Sequence, residues 1–272
     1  MTPPISILIA TYNRARFLPS AIESVLSQTR PDFELLIWDD GSTDHSLDIA
    51  QSYAHQDPRV RVVAAAHRGV AAARQAAVAQ LSGAYLGWVD SDDLLAPTAL
   101  EETAAILETH PEIGMVYTDY LVMDAAGHVQ GRGQRCQLPY SKDLLLLCFM
   151  TFHFRLLRHT VFRQVGGINL ALPYGYDYDL CLRLSEVTTI QRLQKPLYAY
   201  RSHPDSFCSQ QEQDQIRESY LAIAAALERR GLTDRYAVVL DHGHYRLQRQ
   251  HTAAFQGCHT AVSVAPGATT PA

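Results

Sequence analysis

Five short apolar runs of strand type recur along the first half of this 272-residue chain, separated by segments of helical spacing. "ISILIA", residues 5–10, is continuously apolar, the pattern of a strand buried on both faces. Phe17/Leu18, Ala21/Ile22 and Val25/Leu26 then recur at helical spacing. "FELLIW", residues 33–38, reads as a second strand and runs into "DDGSTD", whose Gly, Ser and Thr mark a turn and a helix start. "VRVVAAA" is a third strand, followed by a helix over residues 70–81 with Gly83 as its stop. "AYLGWV", residues 84–89, is a fourth, and Pro97 suits the first turn of the helix after it. "IGMVYTDYLVMD" is a fifth. Such alternation predicts βαβ units and an α/β fold, a mostly parallel central sheet flanked by helices.

In parallel sheets, ligands bind outside the carboxyl ends of the strands. Polar residues gather at three of those ends: Thr11, Tyr12 and Asn13 after the first strand, Asp39 and Asp40 after the second, and Asp90, Asp92 and Asp93 after the fourth. Carboxylates this close repel and raise each other's pKa unless a cation offsets them. Asp-x-Asp after a buried strand is a hard-oxygen set suited to Mg²⁺ or Mn²⁺ shared with substrate phosphates, as in a nucleotide diphosphate. An EF-hand-type calcium loop starting at Asp90 fails, because Leu94 and Leu95 stand where an oxygen ligand and a glycine are required. No Walker motif and no G-x-G-x-x-G is present. The plain alternative is an acidic turn capping the next helix.

The second half, from about residue 130, is less regular. "SKDLLLLCFM" reads as a helix capped by Ser141, "YDYDLCLRLSE" as a helix beginning near Asp177, "TIQRLQKPLYAYRSH" as strand-like, and residues 210–230 as an amphipathic helix. Residues 252–272 read as a disordered tail. A formal charge of −5 with no Lys/Arg block argues against nucleic-acid binding. The longest apolar run, residues 144–150, is far shorter than a membrane span. The N-terminal "MTPP" carries no signal-peptide pattern, and five scattered cysteines form no C-x-x-C pair. Together these predict a cytoplasmic protein with reduced thiols.

"PPISILIATYNRARFLPSAIESVLSQTRPDFELLIWDDGSTD" and "RGVAAARQAAVAQLSGAYLGWVDSDDLLAP" resemble the family 2 glycosyltransferases, inverting enzymes with a GT-A fold. The resemblance covers roughly residues 4–203 and is most specific over the first hundred. It implies a GT-A-like single domain over residues 1–251. Residues 1–120 would be a nucleotide-binding half and residues 121–251 a C-terminal acceptor-side subregion. Thr11 and Tyr12 would border the donor nucleotide, with Tyr12 against the base. Asp40 would accept the uracil or thymine imide N–H, with Asp39 as neighbour and possible substitute. Asp92 would be the direct ligand of Mn²⁺ or Mg²⁺, and Asp90 would contact the donor's ribose or sugar. Asp93 would start the helix or support the site from behind. Arg74 would approach the donor sugar or phosphates, or brace the acidic rim. Gln75 stands where the family usually has Asn.

"GYDYDLCLRL" resembles the family's Glu-Asp-x-Asp-Leu segment. Asp177 would then be the general base. Tyr176 replaces the usual Glu, which would make Asp179 more important on the acceptor side. In "PLYAYRSHPDS", His203 would reach the diphosphate or the metal and Arg201 would neutralise leaving charge. In "FHFRLLRHTVFRQVGGIN", His153 and Arg155 would line the acceptor side, and Gly166 and Gly167 would make a backbone turn.

The implied activity is metal-dependent transfer of a sugar from a nucleotide-diphosphate donor, foremost a UDP-sugar, to a hydroxyl. The acceptor would be a saccharide, a lipid-linked intermediate or another hydroxyl compound, in surface polysaccharide or glycoconjugate synthesis. A lipid-linked acceptor would add peripheral contact with the inner face of the membrane. Two rivals stay open. A nucleotidyltransferase shares the sheet, the metal and the nucleotide, but would carry a Gly-rich phosphate loop that "ILIATYNRARF" lacks. A non-catalytic sugar-nucleotide-binding member of the family is the other.

Overall fold

A computed structural model of the chain describes residues 4–204, 211–241 and 244–250. The residues expected to form a disordered tail lie outside them, as do Cys208 and Cys258. Cys136, Cys148 and Cys181 are free thiols.

Strands β1 (Ile5–Thr11), β2 (Phe33–Asp39), β3 (Val60–Ala64) and β4 (Tyr85–Trp88) coincide with the first four apolar runs. They lie in the order β3-β2-β1-β4, all parallel, with Thr11 level with Asp39. Beyond β4 the sheet continues through β8 (Arg155–Arg158), β6 (Ile113–Met123), β9 (Thr189–Arg201) and β5 (Leu94–Leu95), while β7 (Val129–Arg132) pairs with β6. Strand β8 runs antiparallel to both β4 and β6, so β6 keeps the direction of the first four. The connecting helices are α1 (Leu18–Leu26), α2 (Ser46–Gln56), α3 (Val70–Val78), α4 (Ala99–Thr109), α5 (His159–Gln164), α6 (Tyr176–Val187) and α7 (Glu212–Arg229). A hairpin of β10 (Tyr236–Asp241) and β11 (His244–Arg249) follows α7.

Why the apolar runs are continuous is visible in the core. Strand side chains alternate between faces, and here both faces are covered. Ile7, Ile9, Leu35 and Ile37 point to one side, where they meet Leu18, Ile22 and Val25 of α1 and Leu100 and Leu107 of α4. Leu8, Leu36 and Trp38 point to the other, against Ala73 and Ala77 of α3 and Leu180, Leu184, Ile223 and Leu227 of α6 and α7. Helix α3 ends at Val78 with Ala79 as its C-cap, short of residue 81, so Gly83 is not its stop; Gly83 is where the chain passes close against β1. A Cβ there would lie 2.6 Å from Ser6 Oγ and 2.7 Å from the Ser6 backbone nitrogen, in the middle of the sheet.

Two further expectations need correction. "SKDLLLLCFM" is not an α-helix: only Leu144–Leu146 make a single tight turn. The Ser141 hydroxyl does accept the Leu144 N–H at 2.9 Å, but the chain turns away after one turn. Pro97 lies just before α4, whose N-cap is Thr98. Among the described residues, no helix is long and apolar enough to cross a membrane.

Candidate active site

The parallel register brings the ends of β1, β2 and β4 side by side, and two distant pieces of chain close over them: the start of α6 and the residues after β9. The β1 loop is tied to the β2 loop. Asn13 adopts a left-handed backbone, φ 53°, and its Oδ1 accepts the Thr43 N–H at 2.8 Å. The Asn13 N–H donates to Ser42 Oγ at 3.0 Å. Thr11 is buried, and its carbonyl accepts the Asp40 N–H at 2.9 Å. Tyr12 is 39% exposed and stacks on His67, centroids 4.0 Å apart, leaving an aromatic surface at the mouth of the loops.

The two acids after β2 differ in what holds them. Asp40 accepts the Gly69 N–H at 2.9 Å and the Arg68 N–H at 3.1 Å, and His67 Nδ1 lies 2.8 Å from its Oδ2. Asp39 accepts the Ser42 N–H at 2.9 Å through Oδ1, while its buried Oδ2 has no hydrogen-bond partner. Asp40 thus fixes the loop that follows β3, and Asp39 keeps unused acceptor capacity.

The acids after β4 separate into three environments. Asp90 is paired with Arg74, whose guanidinium also bonds the Tyr176 hydroxyl. Burial, the largest single influence, opposes ionisation of Asp90, but the neighbouring cationic groups, Arg74 foremost, together outweigh it and lower the carboxyl pKa. Asp93 is fully enclosed. Its carboxylate accepts the Tyr198 hydroxyl at 2.8 Å and the Arg201 N–H at 2.7 Å. Burial first, and then the Asp92 and Asp90 charges, push its pKa well up. Asp92 stands at the rim, with His203 Nε2 at 3.0 Å and Arg14 Nε at 3.3 Å from its Oδ2.

Two donor sets bear on a metal. One atom each of Asp90, Asp93 and His153 lies within 4.8 Å of the others. That set is poorly suited to a cation, because Asp93 is sealed in and both its oxygens are engaged, while Arg74 already neutralises Asp90. Asp92 and His203 are the more open set, with Arg14 also 3.3 Å from the same Asp92 oxygen. Two neighbouring ligands of an octahedral ion, each about 2.1 Å from it, sit about 3 Å apart, and Asp92 Oδ2 and His203 Nε2 are 3.0 Å apart.

His153 stacks on Tyr198, centroids 4.7 Å apart, with Nε2 3.5 Å from Asp90 Oδ2. Burial pushes its pKa down to about 3 despite that carboxylate, so the ring is neutral at physiological pH. Asp177 sits in the first turn of α6, its side chain 23% exposed, and Arg155 Nη2 lies 3.5 Å from its Oδ2. Arg155 itself is buried and donates to the Thr151 carbonyl at 3.2 Å.

Most of the residues expected from the sequence therefore meet on one rim. Asp179 does not. Two residues along the helix from Asp177, it points inward, is 2% exposed and is paired with Arg183 at 2.7 Å. Arg201 sits against the backbone of the rim: its Nε donates to the Asp92 carbonyl at 2.7 Å, and its Nη1 faces the carbonyls of residues 124 and 125. Gly166 and Gly167 have φ 82° and 72°, as a glycine turn requires. Gln75, the departure from Asn, accepts the Ile168 N–H at 2.8 Å just after that turn. Arg14, His67 and Tyr198 were missed. Arg14 and His67 each follow a predicted strand, which was the available signal; Tyr198 lies inside β9, where nothing distinguishes it from a core tyrosine.

Residues 6–166 match the family described as glycosyl transferase family 2. The chain belongs to that family. The hyaluronan synthase of Pasteurella multocida is 31% identical over 231 residues, 85% of this chain and 24% of that protein. The chondroitin synthase of Escherichia coli is 31% identical over 230 residues, 85% of this chain and 33% of that one. The chain thus spans about a quarter to a third of the length of these curated relatives. Among solved structures, Staphylococcus aureus TarS residues 1–349 in complex with UDP-GlcNAc superpose with a TM-score of 0.67 at 20% identity, covering 84% of this chain and 66% of that one. That likeness establishes the GT-A fold of this family 2 chain.

Proposed function

We propose that this chain catalyses metal-dependent, inverting transfer of a sugar from a nucleotide-diphosphate donor, foremost a UDP-sugar, to an acceptor hydroxyl in polysaccharide synthesis. The observation that carries the reading is the rim itself. Asp92 and His203, 3.0 Å apart, and a partly exposed carboxylate, Asp177, come from distant parts of the chain to the carboxyl ends of the parallel strands. Two relatives named for polysaccharide synthesis, and a structural neighbour crystallised with UDP-GlcNAc, support it.

In this reading Tyr12 lies against the base, and Asp39 and Asp40 receive its imide edge, with the unpartnered Asp39 oxygen the more available acceptor. Asp90, held by Arg74, faces the ribose or the donor sugar. Asp92 and His203 would hold Mn²⁺ or Mg²⁺, which would offset the charge of the departing diphosphate. Asp177 takes the proton of the acceptor hydroxyl. That oxygen bonds the anomeric carbon, and the bond to the diphosphate breaks on the opposite face. Arg155, 3.5 Å from Asp177, aims that carboxylate, and Arg155 and the neutral His153 ring form the inner wall of the acceptor side. Residues 1–120 serve the donor and residues 121–251 the acceptor. The work is peripheral to a membrane where the acceptor is lipid-linked.

The test is to incubate the chain with a panel of nucleotide sugars and short saccharide acceptors, with Mn²⁺, with Mg²⁺ and with EDTA. Released UDP and the anomeric configuration of the product are followed by NMR. Metal-dependent release with inversion is expected. Retained configuration, or UDP release indifferent to EDTA, would contradict the reading. Pyrophosphate release from a nucleoside triphosphate would instead identify a nucleotidyltransferase.

A further inference from the structure

Helix α6 presents Asp177, yet its own sequence supplies no cap. The N-cap is Gly175 and makes no side-chain hydrogen bond. The N–H groups of the turn before it are taken by another helix. Glu218 Oε2, on α7, accepts the Tyr174 N–H at 2.6 Å and the Gly175 N–H at 2.8 Å, from 43 residues further along the chain in the second case. Glu218 is 6% exposed. A Cβ on Gly175 would lie 2.8 Å from the Glu218 Cβ, so the turn and α7 approach as closely as a glycine permits. Below this contact, Ala222, Ile223 and Ala226 of α7 share a core with Leu180 and Leu184 of α6.

A buried carboxylate is costly unless donors satisfy it, and here two backbone donors do. What this achieves is local. Within α6, Asp177 Oδ1 accepts the Tyr178 N–H at 2.9 Å and Oδ2 faces Arg155. Those contacts orient the carboxylate relative to its helix. Glu218 fixes where the helix itself begins. Displacement of a reacting group by about 1 Å costs on the order of 10²-fold in rate.

We infer that Glu218 is a positioning residue for Asp177, holding the turn at residues 174–175 so that the carboxylate reaches the acceptor hydroxyl. The inference rests on the assignment of Asp177 as general base. It lies outside the stretch of residues 6–166 that matches the family.

The experiment compares wild type, Glu218→Ala, Glu218→Gln, Asp177→Asn and the Glu218→Ala/Asp177→Asn double variant in the full chain, measuring kcat, donor KM and Mn²⁺-supported UDP affinity. Glu218→Ala is expected to lower kcat by about 10- to 10²-fold, with donor KM and UDP affinity unchanged. Glu218→Gln keeps a carbonyl oxygen for the two N–H groups and should recover most of the rate. In the Asp177→Asn background, Glu218→Ala should cost nothing further, because groups that act as a unit are not additive. If the alanine variant does not accumulate, Glu218→Asp, which shortens the arm, is expected to give the same kcat loss. A fold-loss that persists in the Asp177→Asn background, an unchanged kcat, or a loss confined to UDP affinity would overturn the inference. Wild-type transfer by Asp177→Asn would instead sink the assignment of the base, and the inference with it.

Discussion

Asp177→Asn is expected to lower sugar transfer by about 10²- to 10⁴-fold, the usual worth of a positioned general base, while leaving Mn²⁺-supported UDP affinity at the wild-type level. The substitution keeps size and shape and removes the basicity together with the charge that faces Arg155. The reason to expect so large an effect is environmental. Asp177 is partly exposed at the rim, so an acceptor hydroxyl can reach it, and Arg155, itself buried, stands 3.5 Å away. Asp179, the nearest alternative carboxylate on α6, is turned into the core against Arg183. It cannot take over without unwinding the helix. Single-turnover transfer assays alongside UDP titration separate the two quantities. An Asp177→Asn variant that transfers at the wild-type rate, or that loses UDP affinity along with turnover, would contradict the assignment.

Arg74→Met is expected to lower folding stability by about 3–5 kcal/mol, the range for removing one partner of a buried ion pair. Arg74 is 4% exposed and carries its charge between Asp90 and the Tyr176 hydroxyl. Burial opposes that charge, and the surrounding Tyr176, Asp90 and Asp177 more than offset it, so its pKa is raised. Methionine fills much of the same volume but leaves Asp90 without its main counter-charge. Tyr176→Phe removes only a hydroxyl from the same chain and should cost about 1 kcal/mol. Urea midpoints of the two variants, at unchanged m-value, measure the difference. Equal losses would show that Arg74 is held by packing and not by its charge.

The contrast between these two residues explains how much of the site was legible in the sequence. Strands β1 to β4 are buried on both faces, so their apolar runs are uninterrupted and their ends easy to find. Asp39, Asp40, Asp90 and Asp92 fall at those ends, and the parallel register does the rest. Strand β8 was not legible. It is four residues long with arginines at both ends, Arg155 and Arg158, and only tertiary pairing with β4 and β6 makes it a strand. The apolar run at residues 144–150 misled in the opposite direction, since burial alone does not distinguish a helix from a folded-over loop.

Direction is the other thing a sequence leaves open. Asp177 and Asp179 look equivalent in "YDYDL", and only the helix phase sends one to the rim and the other to Arg183. The resemblance assigns the imide N–H to Asp40, with Asp39 as possible substitute; in the structure three nitrogens of the β3 loop converge on Asp40 while Asp39 keeps an unpartnered oxygen. Arg201, expected to neutralise leaving charge, has its guanidinium against the backbone carbonyls of Asp92 and of residues 124 and 125. The last two depend on contacts between segments far apart in the chain, which no local pattern encodes.

The central claim is that Asp92 and His203 hold a divalent cation through which this rim binds a nucleotide diphosphate. Calorimetric titration of UDP into the chain, with Mn²⁺ and with EDTA, using wild type and Asp92→Ala, tests it most directly. The account predicts saturable binding to the wild type with Mn²⁺, lost on adding EDTA and lost in Asp92→Ala. UDP binding of equal affinity with and without Mn²⁺, or unaffected by Asp92→Ala, would contradict it.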